Sequence, residues 1–255
     1  MLEDYPSDLA NNRKFATLHA INRAVLAGAA GGYKFPNIEF SLAYGDQSAD
    51  HTRPNWAYDR KVTDKMTMMI PDFGLYSWPA HQVGTWSEVR ERTNEVQKTL
   101  QFSAKIPKLF WRGTTAFGRE IRESLVNASM GKSWSAVEGL EWLAPDFKDH
   151  MVTMPDHCKY QFLVHTEGSC VMWTYSVQLK LTDTTAGLAY SGRLKYLHNC
   201  ESVIIAHVPN FETHDQHLMI ASGPDQNFVQ VSQVILVVLS SSDRLPGQAG
   251  LFRSG

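Results

Sequence analysis

The sequence lacks any apolar run long enough to cross a membrane as a helix. Its longest, Val234-Ile235-Leu236-Val237-Val238-Leu239, falls far short of the roughly 20 residues a span needs. The first residues, Met1-Leu2-Glu3-Asp4-Tyr5-Pro6, do not follow the basic, apolar, small-residue order of a secretory signal. Charge of one sign is also missing. A net charge of −2 over 255 residues gives no general reason to expect nucleic acid or an anionic membrane as a partner. Cysteine is scarce: Cys158, Cys170 and Cys200 show no paired zinc spacing, and an odd number leaves at least one thiol free. Cys158 and Cys200 can pair if the chain enters an oxidising compartment. No Asp-x-Asp pair occurs, and His207, His214 and His217, seven and then three residues apart, do not by themselves make a metal site; no metal is expected.

What is present describes a globular protein. Hydrophobic residues make up 43% and charged residues 20%, enough for one large or two modest domains. Seven Trp and nine Tyr could stack on sugars or simply pack a core. Residues 12–27 have helical spacing, with Phe15, Leu18, Ile21, Ala24 and Val25 on one face and Arg13, Lys14 and Arg23 elsewhere. Residues 38–42 alternate like a strand and lead to Asp46, with Asp50 close behind. The loop Ile70-Pro71-Asp72-Phe73-Gly74 with Tyr76-Ser77-Trp78-Pro79 is rich in aromatics, and residues 86–100 read as a polar helix. Around Lys105-Ile106-Pro107-Lys108 the pattern predicts a domain boundary. Strand-plus-turn character follows over residues 109–114, a helix over 119–127 and a short helix over 134–142. Asn127-Ala128-Ser129 is a glycosylation sequon.

Residues 156–207 organise the rest. Tyr160-Gln161-Phe162-Leu163-Val164 is strand-like and ends at Glu167-Gly168-Ser169. A helix start follows at Ser191-Gly192-Arg193-Leu194-Lys195-Tyr196-Leu197, with Ser191 as N-cap, and then the buried-type strand Ser202-Val203-Ile204-Ile205-Ala206. Strand, turn, helix and strand in this order form a βαβ unit. In such units backbone N–H groups at the helix start and a nearby Arg neutralise phosphate charge.

The ordered set Trp111-Arg112-Gly113, Asp156-His157-Cys158-Lys159-Tyr160, Glu167-Gly168 and Ser191-Gly192-Arg193-Leu194-Lys195-Tyr196-Leu197 resembles glycosyltransferase family 90. This is the capsule-associated-protein type that includes the Rumi-type protein O-glucosyltransferases. The similarity to fungal members extends over most of residues 15–231. It implies an α/β fold of two Rossmann-like domains facing a cleft, GT-B-like and incomplete at both ends. Residues 1–104 would be a partial acceptor-side domain, 105–231 the donor-nucleotide domain, and 232–255 an atypical disordered tail.

The implied activity is inverting transfer of glucose or xylose from a UDP-sugar to a protein hydroxyl or glycan. No cofactor or metal is involved, and the enzyme works in the lumen of the endoplasmic reticulum or Golgi. The alternative is an inactive nucleotide- or glycan-binding fragment of the same family. The resemblance puts Asp46 at the catalytic base, although Ala43 and Gly45 stand where relatives have Asn and Arg. It puts Arg193 first among donor-diphosphate residues, Arg112 second, and Ser191, Gly192 and Gly113 as small or hydroxyl-bearing neighbours. Glu167 would take ribose hydroxyls or a structural turn, and His217 would lie near the nucleotide end. Residues 171–189 interrupt the order seen in relatives, and residues 232–255 replace their C-terminal helices. We read both as translated introns, and the chain as a fragment that lost its start.

Overall fold

The computed structural model describes residues 5–45, 54–76, 83–115, 119–141, 144–168 and 190–232. In chain order these form α1 (Tyr5–Ala30), β1 (Ser41–Leu42), β2 (Asn55–Ala57), β3 (Asp59–Lys61), β4 (Thr67–Met69), α2 (Trp86–Thr99), β5 (Ile106–Thr114), α3 (Arg119–Ser129), β6 (Ser135–Leu140), α4 (Met154–His157), β7 (Tyr160–His165), α5 (Leu194–Leu197), β8 (Val203–His207), β9 (Phe211–Thr213) and β10 (Val229–Val231). Among the described residues no helix is long and apolar enough to cross a membrane. Asp46, Asp50, Cys170 and the segments 171–189 and 233–255 lie outside the described residues.

The chain divides into two compact units. The first takes Met1–Arg92, Glu167–Gly192 and Pro209–Leu218; the second takes Thr93–Thr166, Arg193–Val208 and Met219–Gly255. The expected consecutive domains therefore become interleaved ones, because the chain leaves the second unit and returns to it twice after β7. The first division falls inside α2 rather than at Lys105. Lys105 is buried, with Nζ donating to Gln97 Oε1 (2.9 Å), the Glu201 carbonyl (2.6 Å) and Ser202 Oγ (3.1 Å) within the second unit.

In the first unit β1, β2 and β4 form a parallel sheet, and β3 pairs antiparallel with β9. Its core holds Ala16, Tyr58, Phe73, Tyr190 and Phe211. The face of α1 that packs is not the expected one. Arg13 is 2% exposed, with its guanidinium 4.6 Å from the Phe73 ring centroid, while Phe15, at 57%, and Leu18 and Val25 face solvent. Thr17, beside the Tyr58 hydroxyl at 2.5 Å, explains part of this. The buried stripe carries polar groups that find partners, so apolar spacing alone pointed to the wrong side. The strand expected over 38–42 is confined to Ser41–Leu42. Ile38 is exposed and Phe40 stacks on Trp56 (ring centroids 3.9 Å apart).

The second unit is built on a five-stranded parallel sheet, in the order β10-β8-β7-β5-β6. Strand alternation sends odd and even residues to opposite faces, and each face has its own core. Leu109, Trp111, Val164 and Ile205 pack with Ile121 and Leu125 of α3 on one side. Phe110, Leu163, Ile204 and Ala206 pack with Cys158, Leu197, Cys200 and Phe228 on the other. Apolar residues on both faces are what a parallel sheet covered on both sides requires. A disulfide joins Cys158, at the C-terminal cap of α4, to Cys200 just beyond α5, so the pairing open to these two cysteines is made.

The described residues 134–141 do not form the helix expected over 134–142. Residues 135–140 instead form β6, in register with β5 from Leu109↔Ser135 to Thr114↔Leu140. A short segment with Val137 and Gly139 has little helical preference, and pairing with the long β5 decides its state.

Candidate active site

Numbered within the second unit, the strand order reads 2-1-3-4-5, so the direction of chain progression reverses between β5 and β7. In parallel α/β sheets ligands bind outside the carboxyl ends of the strands at such a switch point. Here those ends carry Trp111, Gly113 and Thr114 from β5 and His165 with Thr166 from β7. Trp111 is 1% exposed, and its Nε1–H donates to Thr166 Oγ1 at 3.2 Å, tying the two strand ends together.

Arg193 reaches this point. It stands at the N-cap position of α5, and its guanidinium carbon lies 6.0 Å from the Trp111 ring centroid. A Cβ placed on Gly113 would sit 3.3 Å from Arg193 Nη2 and 3.0 Å from Trp111 Cζ2. Gly113 therefore makes room for the arginine. Arg122, in the first turns of α3, lies 5.7 Å from the same Trp111 ring centroid and donates from Nη1 to the Thr114 carbonyl at 2.8 Å. Sequence reasoning passed over Arg122. Its signal was its place at the start of the helix after β5, the first βα turn of the unit.

Two buried histidines, His157 against the Phe110 ring and His165 at the end of β7, lie within the field of Arg193. Burial, helped by the charge of Arg193, pushes His157 down to about 4. Its Nδ1–H donates to the Thr153 carbonyl at 2.8 Å, and its buried Nε2 has no partner among the described residues. Burial also pushes His165 well below the usual histidine value, with His207, Arg193, Arg122 and His198 adding positive field. Its Nδ1 is likewise buried and unpartnered among the described residues. The charges acting on both rings are dominated by cations, an environment that an anion would complete.

The other residues expected at the site are placed differently. Arg112 projects on the Phe110 face, its guanidinium carbon 6.0 Å from that ring centroid. It is paired with Glu138 at 2.7 Å and donates to the His150 carbonyl at 3.1 Å. Its guanidinium thus serves a protein carboxylate, on the strand face opposite to Trp111 and Gly113. Glu138 in turn accepts from His150 Nδ1 at 2.5 Å.

Ser191 is not the N-cap. α5 is a single turn beginning after Arg193, and it has no side-chain cap, so it offers no helix-start anion site of the expected kind. Ser191, Gly192 and Glu167 belong to the first unit. Glu167 is 2% exposed and accepts from Asn210 N (2.7 Å), Phe211 N (2.8 Å) and Asn210 Nδ2 (2.9 Å). These contacts fit the structural turn rather than a ribose. His217, also in the first unit, is exposed, with Nδ1 against the His214 carbonyl at 3.0 Å. Among the described residues no group of three His, Cys, Asp or Glu side chains is arranged to hold a metal ion.

The family model for glycosyl transferase family 90 matches residues 35–183. The match takes in Asp46, Arg112, Gly113 and Glu167 and ends before Arg193. No curated protein matches the chain. With more than half of its length matched, and with a mixed α/β structure of parallel sheets, the chain belongs to glycosyl transferase family 90, a family of glycosyltransferases.

Proposed function

We propose that the protein transfers glucose or xylose from a UDP-sugar, with inversion, to a protein hydroxyl or a glycan. The observation that carries this reading is Arg193 against Trp111 and Gly113 at the switch point of the second unit. Transfer from a nucleotide sugar needs a group that stabilises the departing diphosphate, a base for the acceptor hydroxyl, and exclusion of water. Arg193 is the diphosphate group in this reading, in cationic surroundings to which Arg122 contributes. Neutral His157 and His165 add hydrogen-bonding groups without added charge. Asp46, in the first unit, is the base. The Cys158–Cys200 disulfide supports an oxidising compartment, and hence the secretory pathway.

A second reading keeps the nucleotide site but not the catalysis. The engagement of Arg112 with Glu138, and Ala43 and Gly45 beside Asp46, favour it.

Titration calorimetry with UDP on this chain and on Arg193→Ala tests the donor site. Loss of one charge-assisted hydrogen bond is worth about 1.5–3 kcal/mol, so the variant binds roughly 10- to 150-fold more weakly. No UDP binding by the parent chain would overturn the donor assignment. Binding without sugar transfer from UDP-glucose or UDP-xylose would favour the second reading.

A further inference from the structure

We infer that Asn127 carries an N-linked glycan when the protein passes through the secretory lumen. Asn127-Ala128-Ser129 is the one Asn-x-Ser/Thr triplet in the sequence, and the structure places it in the last turn of α3. Asn127 is exposed, and Met130 beside it is 69% exposed. Around Gly131, at φ +70°, a Cβ would meet nothing within 4 Å. The amide thus stands on an open part of the surface, large enough for a sugar chain.

Ser129 adds an independent observation. It is 4% exposed, and its hydroxyl is buried with no hydrogen-bond partner among the described residues. A buried, unsatisfied hydroxyl disfavours the folded state, and alanine would serve the helix better. The hydroxyl has a use before folding, when it completes the acceptor triplet on the extended chain. The Cys158–Cys200 disulfide points to the compartment in which that chemistry occurs.

In the reaction, Asn127 Nδ2 bonds to C1 of the first sugar of a lipid-diphosphate-linked oligosaccharide. The C1–O bond to the diphosphate breaks, the lipid diphosphate departs with the bonding electrons, and the amide proton passes to a base of the host transferase.

Topology makes the modification compatible with the donor site. α3 begins beyond the carboxyl end of β5 and runs back to the amino end of β6. Its final turn therefore lies at the amino edge of the sheet. Eleven helical residues put it roughly 16 Å along the axis from the carboxyl edge, where Arg193 and Trp111 stand. The inference concerns α3 and the compartment, and does not depend on which sugar the enzyme transfers.

The test is secretion of the full chain from eukaryotic cells, followed by an amidase that releases N-glycans and leaves aspartate at position 127. The mass of the denatured peptide then reads the site whether or not a variant folds. Modification is expected in the parent and in Ser129→Thr, and none in Asn127→Gln or Ser129→Ala. Ser129→Ala made without glycan should melt no lower than the unglycosylated parent. An unmodified Asn127 peptide from secreted parent protein overturns the inference, as does a glycan that survives Ser129→Ala. UDP affinity should be the same before and after glycan release. Absence of UDP binding in both forms would count against the donor site and leave this inference standing.

Discussion

Gly113→Ala is expected to weaken donor binding while leaving the fold nearly as stable as before. A methyl group at this position meets Trp111 Cζ2 at 3.0 Å and Arg193 Nη2 at 3.3 Å. Trp111 is 1% exposed and held by its hydrogen bond to Thr166, so it can yield little. The guanidinium of Arg193 is the end of a flexible side chain, and it is the group that moves. Alanine in a strand gains about 0.5–1 kcal/mol over glycine in backbone entropy, which offsets most of the cost of the tight contact. Net stability should change by less than about 1 kcal/mol.

Displacing Arg193 by a few tenths of an ångström forfeits part of a charge-assisted bond worth about 1.5–3 kcal/mol. UDP should then bind roughly 3- to 10-fold more weakly. Calorimetric titration with UDP, paired with urea unfolding, measures both quantities. The double variant with Arg193→Ala separates direct from indirect effects: once the arginine is gone, Gly113→Ala should have no further effect on UDP. Unchanged UDP affinity in Gly113→Ala would refute the placement of Arg193 at the diphosphate. So would an equal further loss in the double variant.

Acid should destabilise the second unit through His157. Its folded value of about 4 lies below the ordinary 6.5, so between those pH values the unfolded chain holds a proton that the folded one refuses. Stability is full above about 6.5 and declines as pH falls toward 4, by about 3 kcal/mol for this group alone; His165 acts in the same direction. His157→Asn, which keeps a donor for the Thr153 carbonyl, should flatten the dependence of the urea midpoint on pH across that window. An identical pH slope in the variant would contradict this. Removing the Cys158–Cys200 bridge, which closes a separation of 42 residues, should cost about 4 kcal/mol by the chain-entropy argument. A loss below about 1 kcal/mol in the double alanine variant would mean that packing between α4 and α5 holds the region without it.

The alternation of Leu109, Phe110 and Trp111, and the apolar runs at residues 160–164 and 202–206, made β5, β7 and β8 legible from the sequence. Amphipathic spacing did the same for α2 and α3. Two-sided burial in a parallel sheet leaves that signature in the chain itself. β6 was misread as helix because its state depends on a partner strand more than 20 residues away in sequence. The buried face of α1 was misread because Arg13 packs on the Phe73 ring and Thr17 meets the Tyr58 hydroxyl, contacts that a hydrophobicity pattern does not record.

The site divides in the same way. The sequence motifs singled out Arg193, Arg112, Gly113 and Glu167 as chemically capable residues. Only the tertiary structure could separate them, turning Arg112 to Glu138, closing Glu167 onto Asn210 and Phe211, and setting Arg193 over Gly113. The sequence by itself determined the residue types and the family, because these depend on local order along the chain. Only the tertiary structure decided that Arg112 meets Glu138 while Arg193 meets Trp111 and Gly113, because strand order and side-chain direction emerge when distant segments pair.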